Sequence, residues 1–326
     1  MYFITGATGL VGSTIVKALA IKGERIKIFH RPESDLSILD DVKGKIIKVE
    51  GRLNDAILLS EELKDVHTII HAAALVSFAK KDEQEIYETN VLATQYLIDA
   101  ALENKVEKFV FISSIAAIGR KKNSLNVNEN SQWVESSLNS AYGKSKHLAE
   151  LEVWRGFEEG LKGFILNPSI ILGKGDWAKS STKLIKFIYK HQSHYPNALL
   201  NFVDLRDVRD VLLKLLNKNI EGERYILNGG QHTYKEFFNQ ASDLMSITKV
   251  RRPVSIQKLQ ILQKLAAFQA FITRSQPLVT KETVTALKYS FQYDTSKIKK
   301  EIDFEFRELQ NTLEDIIPYY IDRYKL

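Results

Sequence analysis

The run Thr5-Gly6-Ala7-Thr8-Gly9-Leu10-Val11-Gly12 constrains the chain more than any other feature. It follows a short apolar segment, Tyr2–Thr5, and leads into Ile15, Val16 and Leu19 at helical spacing. Glycines at this interval between a strand and a helix have separate uses. Gly6 permits a tight turn with an unusual φ. Gly9 leaves room for a pyrophosphate beside the backbone, and Gly12 lets the helix pack close to the strand. Free N–H groups at the helix start, with the helix dipole, then favour phosphate at the turn. The spacing is G-x-x-G-x-x-G, and its place in a strand–turn–helix unit argues for a dinucleotide rather than an empty glycine-rich turn.

The alternation continues. Segments 25–29, 45–49, 68–71, 109–112 and 163–166 read as strands, and 82–104 and 141–160 as long helices. Strands spaced by helices predict an α/β fold with a doubly wound parallel sheet. Continuous apolar strands such as Lys108-Phe109-Val110-Phe111-Ile112 suit burial on both faces. After Pro168 helical stretches dominate, at 179–190, 234–245, 256–272 and 281–290, with strand signal only at 199–203 and 224–228. The predicted division is a nucleotide-binding domain from 1–167 and 199–228, and a smaller C-terminal substrate-binding lobe from 168–198 and 229–326.

With 326 residues, 44% hydrophobic and 26% charged, the chain can bury a sizeable core and is not a disordered, collagen-like or disulfide-stapled sequence. It has no cysteine. That removes disulfides, thiolate nucleophiles and iron–sulfur clusters, and fits a reducing compartment. The net charge of +6 is dispersed in short clusters such as Arg120-Lys121-Lys122. A solvated surface is expected, with no nucleic-acid partner. No signal peptide and no run of about 18 apolar residues is apparent, so a cytoplasmic protein without a membrane span is expected. Segment 256–272 reads as an amphipathic helix packed on the second lobe. His191 and His194 have no completing ligand, and no metal site is expected.

The end of the second strand bears on the nucleotide. It reads Lys27-Ile28-Phe29-His30-Arg31-Pro32, with no acid to hold ribose hydroxyls. Glu33 and Asp35 follow the proline and are expected out of reach. Arg31 can grip a 2′-phosphate bidentately, assisted by His30. NADP(H) is favoured and NAD(H) remains possible.

Tyr142-Gly143-Lys144-Ser145-Lys146 opens a predicted helix, so Tyr142 and Lys146 lie on one face. A nearby ammonium favours phenolate and is expected to bring the tyrosine nearer a useful pKa. Ser114 closes the fifth strand, where a parallel sheet meets its ligand crevice.

Together these motifs resemble the extended short-chain dehydrogenases/reductases of the NAD-dependent epimerase/dehydratase type, which have a Rossmann fold. Residues 5–12 match TGxxGxxG, His71-Ala72-Ala73 the HxAA turn, and Asn90-Val91-Leu92-Ala93-Thr94 the NVxGT segment with Ala93 for glycine. Ser113-Ser114 with Gly119 matches SSxxxxG, Asn167-Pro168 the [RN]P turn, and 202–208 the FVdVrDV segment. The resemblance implies that Ser114 and Tyr142 bind the reacting oxygen, Tyr142 moves the proton, and Lys146 holds the nicotinamide ribose. It places the cofactor on Gly6, Thr8, Gly9, Leu10, Val11 and Gly12, on His30 and Arg31, and on Leu53, His71, Ala72, Ala73 and Asn90. Ile112, Ser113, Tyr142, Lys146, Asn167 and Pro168 complete that set. The substrate side is implied at Val76, Ser77, Phe78, Ser114, Ile115, Tyr142 and Trp177. Family members pair their two long helices into a homodimer, and Leu148, Leu151, Trp154 and Phe157 suggest the same here.

The departures matter too. Arg52 stands where many members carry an adenine-contacting Asp. Ile115-Ala116 replaces the Asp-Glu pair of the sugar 4,6-dehydratases, and 197–201 lacks the arginine that many nucleotide-sugar epimerases use for a diphosphate. The turns at 74–78 and 167–177 are similar to those of the dihydroflavonol-4-reductase-like branch. The expected activity is reduction of a ketone or aldehyde by NADPH on a small-molecule substrate. The alternatives are a nucleoside-diphosphate-sugar epimerase with tightly held NAD and a non-catalytic dinucleotide sensor.

Overall fold

The structure, a computed structural model, describes residues 1–77, 79–122, 124–177, 180–190, 194–247, 252–259, 261, 284 and 287–325. Its principal strands are β1 (Tyr2–Thr5), β2 (Ile26–His30), β3 (Ile46–Glu50), β4 (Thr68–His71), β5 (Lys108–Ile112), β6 (Lys162–Pro168), β7 (Ile170–Leu172), β8 (Leu199–Asp204), β9 (Glu221–Leu227) and β10 (Gly230–Thr233). The principal helices are α1 (Leu10–Ile21), α2 (Ala56–Glu62), α3 (Ala93–Glu103), α4 (Ala141–Glu158), α5 (Lys183–Lys190), α6 (Leu205–Leu216), α7 (Tyr234–Leu244), α8 (Ser296–Ile302) and α9 (Leu309–Tyr324).

Residues alternate between two buried faces of one sheet. Phe3, Phe109 and Phe111 turn toward Leu97 and Ile98 of α3 and Ala149 and Val153 of α4. Ile4, Val110 and Ile112 turn the other way, toward Ile15, Val16 and Leu19 of α1 and Val208, Val211 and Leu215 of α6. Covered on both sides, the strands pair parallel throughout, in the order β3-β2-β1-β4-β5-β6-β9. The order reverses between β1 and β4, where Thr5 pairs with His71. That reversal opens a crevice beyond the strand ends, where open α/β sheets bind ligands.

A second core gathers Leu172, Ile188, Phe202, Phe237, Phe238, Leu313 and Tyr320. Over it lies a three-stranded sheet, β10-β8-β7, with β8 antiparallel to β10 and parallel to β7. Segment 199–203, expected with the first sheet, therefore pairs elsewhere. Apolar alternation marks a strand without specifying its neighbour, and only β9 returns to the main sheet. The helix predicted over 82–104 is interrupted. Glu83–Tyr87 passes through a π-helical turn, Glu88–Leu92, into α3. The helix predicted over 256–272 lies outside the described residues apart from 256–259 and 261, and so does His191. Among the described residues, no helix is long and apolar enough to cross a membrane.

Candidate active site

The turn after β1 works by close approach. Gly6 has φ +67°, and a Cβ there would stand 2.5 Å from the carbonyl carbon of Ala72 and the nitrogen of Ala73. A Cβ on Gly12 would overlap the Gly6 carbonyl oxygen. Gly12 thus seats α1 on the turn itself, a correction to the expected helix–strand contact. α1 begins after Gly9 with no side-chain cap, and helix geometry provides no partner for its first N–H groups. Leu10, Val11 and Gly12 line a cleft of about 2100 Å3 that continues past Ile112–Ile115, Tyr142 and Lys146 to Pro168–Ile171.

The floor beneath the crevice is a chain of side chains. The Thr94 hydroxyl donates to the Asn90 carbonyl at 2.7 Å and so accepts from His71 Nε2 at 3.0 Å. Thr5 Oγ1 then donates to His71 Nδ1 at 2.6 Å. The ring is wholly buried, and burial with the Lys146 charge lowers its pKa to about 3. Asn90, in the π-helical turn, brackets the Leu75 backbone, accepting from its N–H at 2.7 Å and donating to its carbonyl at 3.0 Å, and also donates to Ser145. His71 and Asn90 therefore support the cleft from below and do not line it.

Ser140 caps α4 by accepting from the Gly143 N–H at 3.0 Å, which starts the helix at the Tyr142 turn. Tyr142 hydrogen-bonds Ser114, whose Oγ also accepts from the Ala116 N–H at 3.1 Å. Lys146 Nζ donates to the Ile112 carbonyl at 2.9 Å and lies 4.0 Å from the centre of the Phe111 ring. Burial lowers the Lys146 pKa to about 7, with Glu150 opposing the shift. Burial raises Tyr142 to about 12, against the Ser114 hydrogen bond. The expectation that Lys146 draws the tyrosine down is corrected: desolvation outweighs any help from an ammonium held by Ile112 and Phe111.

Of the expected residues, Thr8, Gly9, Arg31, Ala72, Val76, Ser77, Ile112 to Ile115, Tyr142, Lys146 and Pro168 line the cleft. The Ser77 hydroxyl is also bonded to Asp82 at 2.5 Å. Gly6 and Ala73 form the turn contact behind it. The others fall elsewhere. Trp177 stacks on Tyr324 with centroids 4.0 Å apart and packs in the second core. Leu53 packs on the α3–α4 side of the sheet. His30 meets the Arg31 carbonyl at 3.1 Å and is outside the cleft lining. Asn167 is wholly buried and donates to the Ser114 carbonyl at 3.0 Å. Phe78 lies outside the described residues.

Glu33, expected out of reach, lines the cleft and bridges two exposed guanidinium groups, Arg31 at 3.5 Å and Arg52 at 3.2 Å. Arg52 and Glu150 were missed as site neighbours. Glu150 follows Lys146 by one helical turn, a spacing that could have revealed it. Ser169 was missed as well; its hydroxyl is buried, borders the cleft and has no hydrogen-bond partner among the described residues.

The model of the NAD-dependent epimerase/dehydratase family matches residues 2–228. The chain belongs to that family. It is an enzyme of the extended short-chain dehydrogenase/reductase type. The chain is similar to sterol demethylase protein B of Methylococcus capsulatus, 27% identical over 98% of each protein. It is also similar to a Synechocystis protein provisionally named dihydroflavonol 4-reductase, 29% identical over 98% of this chain and 94% of that one. The crystal structure of gox2253 superposes with a TM-score of 0.85 and 28% identity, covering 100% of this chain and 99% of that one. UDP-glucuronic acid 4-epimerase from Bacillus cereus, solved with NAD, shares the fold at a TM-score of 0.78 and 18% identity, covering 99% and 97%. The cleft of this family member fits a pyridine nucleotide: side-chain-free glycines and open helix N–H groups at the start of α1, and a buried Ser169 hydroxyl with no partner among the described residues elsewhere along its lining.

Proposed function

We propose that this enzyme reduces a ketone or aldehyde on an apolar, ring-bearing substrate with NADPH. One observation carries the reading: Tyr142, bonded to Ser114 at the cleft wall, keeps its proton at neutral pH. It is a donor in waiting for a carbonyl oxygen that Ser114 also holds. The cofactor, when bound, supplies the hydride. Lys146 orients the ribose and stands beside the acid. The cleft lining includes Ile170, Leu199, Tyr234, Leu287, Tyr289 and Phe291, apolar surface suited to flat rings, together with polar groups such as Arg120 and Asn201. Relatives named for a sterol, a dihydroflavonol and a hydroxysteroid support that substrate class.

The preference for NADPH rests on Arg31 and Arg52. A 2′-phosphate would compete with Glu33 for both guanidinium groups. Arg31→Ala should weaken NADPH about 10- to 100-fold, the loss of one charge-assisted contact, and leave NADH unchanged. Fluorescence titration of both cofactors reads this, and equal NADPH affinity in the two proteins would exclude the assignment. The activity itself is tested by NADPH consumption across a panel of cyclic ketones and aromatic aldehydes. Epimerisation of a nucleotide sugar with no net coenzyme turnover would replace the reductase reading.

A further inference from the structure

Glu150 is 1% exposed and borders the active site without lining its cleft. Its Oε1 accepts from Ser113 Oγ at 2.5 Å and from Asn167 Nδ2 at 2.5 Å. Its Oε2 accepts from Arg224 at 3.3 Å. These donors come from the ends of β5 and β6 and from β9, three neighbouring strands. Asn167 Nδ2 also donates to the carbonyl of Ser114, so the Glu150 clasp reaches the residue that bonds Tyr142. Every one of these contacts donates toward the carboxyl, an environment that suits the ionised form.

We propose that Glu150 is a positioning residue of this active site: its buried carboxylate ties the ends of β5 and β6 and the middle of β9 to α4 and, one helical turn from Lys146, supplies the negative charge that favours the ammonium form of that side chain. The inference rests on the dinucleotide reading above, because Lys146 is taken to hold the nicotinamide ribose. The titratable groups around the pair are Tyr142 and His147 on the same helix, His71 on β4, Arg224 and Glu223 on β9, Glu129 in the segment before α4 and Lys297 on α8; of the carboxylates, Glu150 is the one that acts on Lys146. His71 is neutral and Tyr142 keeps its proton, so Glu150 supplies the anion beside Lys146. Burial is the largest influence on Glu150 and leaves its pKa raised overall, against the lowering pull of Ser113, Arg224, Asn167 and Lys146; these donors and the neighbouring ammonium are what hold the carboxyl ionised.

The test is NADPH affinity as a function of pH, read by fluorescence on the full chain. In the wild type, affinity should fall as pH rises through the Lys146 pKa, near neutrality. In Glu150→Gln the midpoint of that fall should move down by about one pH unit or more, because an anion that favoured the ammonium is gone. Glu150→Asp keeps the charge and should keep the midpoint. Removing one partner of a buried pair can unfold a chain, so Glu150→Gln/Arg224→Gln, which removes both charges, is measured too and should show the same downward shift. Superimposable profiles for wild type and the Gln variants, or a wild-type profile flat across neutrality, would overturn the proposal. So would an Asp midpoint equal to that of Gln, which would assign the effect to packing. A wild type that binds neither NADPH nor NADH instead overturns the dinucleotide reading on which the inference stands.

Discussion

Tyr142 and His71 show what burial does to single groups in this fold. A phenol with a pKa near 12 is a proton donor at neutral pH and a poor base. Tyr142→Phe removes the hydroxyl alone. Turnover should drop about 10²- to 10⁴-fold while melting temperature and NADPH affinity stay at wild-type values. Wild-type turnover in that variant would mean the proton comes from another group. His71 has a folded pKa of about 3 against 6.5 for a free imidazole. Its folded-state pKa is depressed, so its contribution to stability is complete above 6.5 and is lost as pH falls toward 3. Over that window the slope should be about 1.4 kcal/mol per pH unit. Nitrogen NMR of the ring at pH about 5 should report a neutral imidazole with the proton on Nε2, where a free histidine is mostly cationic. A cationic ring there would contradict the Thr5–His71–Thr94 chain.

At the scale of elements, the glycine turn makes the sharpest prediction. Gly12→Ala places a methyl group on the Gly6 carbonyl, and backbone cannot swing aside as a side chain can. The chain should lose about 1–3 kcal/mol in urea unfolding, and an unchanged midpoint would refute the contact. This turn was legible in the sequence because its chemistry is local. The same holds for the strand-end Ser114 and the Tyr142–Lys146 pair, and the strands of the first half lie within about a residue or two of their expected ends. What sequence spacing could not show is chemistry assembled across the chain. Glu150 meets Ser113 and Arg224 from 37 and 74 residues away. Trp177, implied as a pocket residue by the family resemblance, instead stacks on Tyr324, 147 residues later, a contact that no local spacing reveals. Asp207 binds Arg307 at a separation of 100 residues. α9 carries Pro318 in its interior, which hides a helix from a periodicity argument, and α8 is a short lysine-rich stretch.

For the whole molecule, α3 and α4 lie side by side on one face of the sheet, and Leu151 of α4 is 49% exposed. Trp154 and Phe157 are less available than the sequence suggests, since both pack partly on the sheet core and meet edge to face at 5.6 Å. A twofold pairing of these helices would cover Leu151 and the remaining ring edges. Light scattering should then give about 74 kDa, twice the 37.2 kDa chain. A monomer mass at micromolar concentration would remove the pairing. The loop at 173–176, which borders the cleft, packs against Leu10 of α1 and Leu205 of α6 and is tied to α9 by polar contacts. Tyr320 donates to the Gly173 carbonyl at 2.8 Å, and Lys174 pairs with Asp315 at 2.8 Å. This part of the cleft border thus answers in part to residues remote in sequence from the glycine turn. One border of the cleft is tied down from the far end of the chain, so a change in the terminal helix can reshape that border while leaving the sequence of the glycine turn untouched.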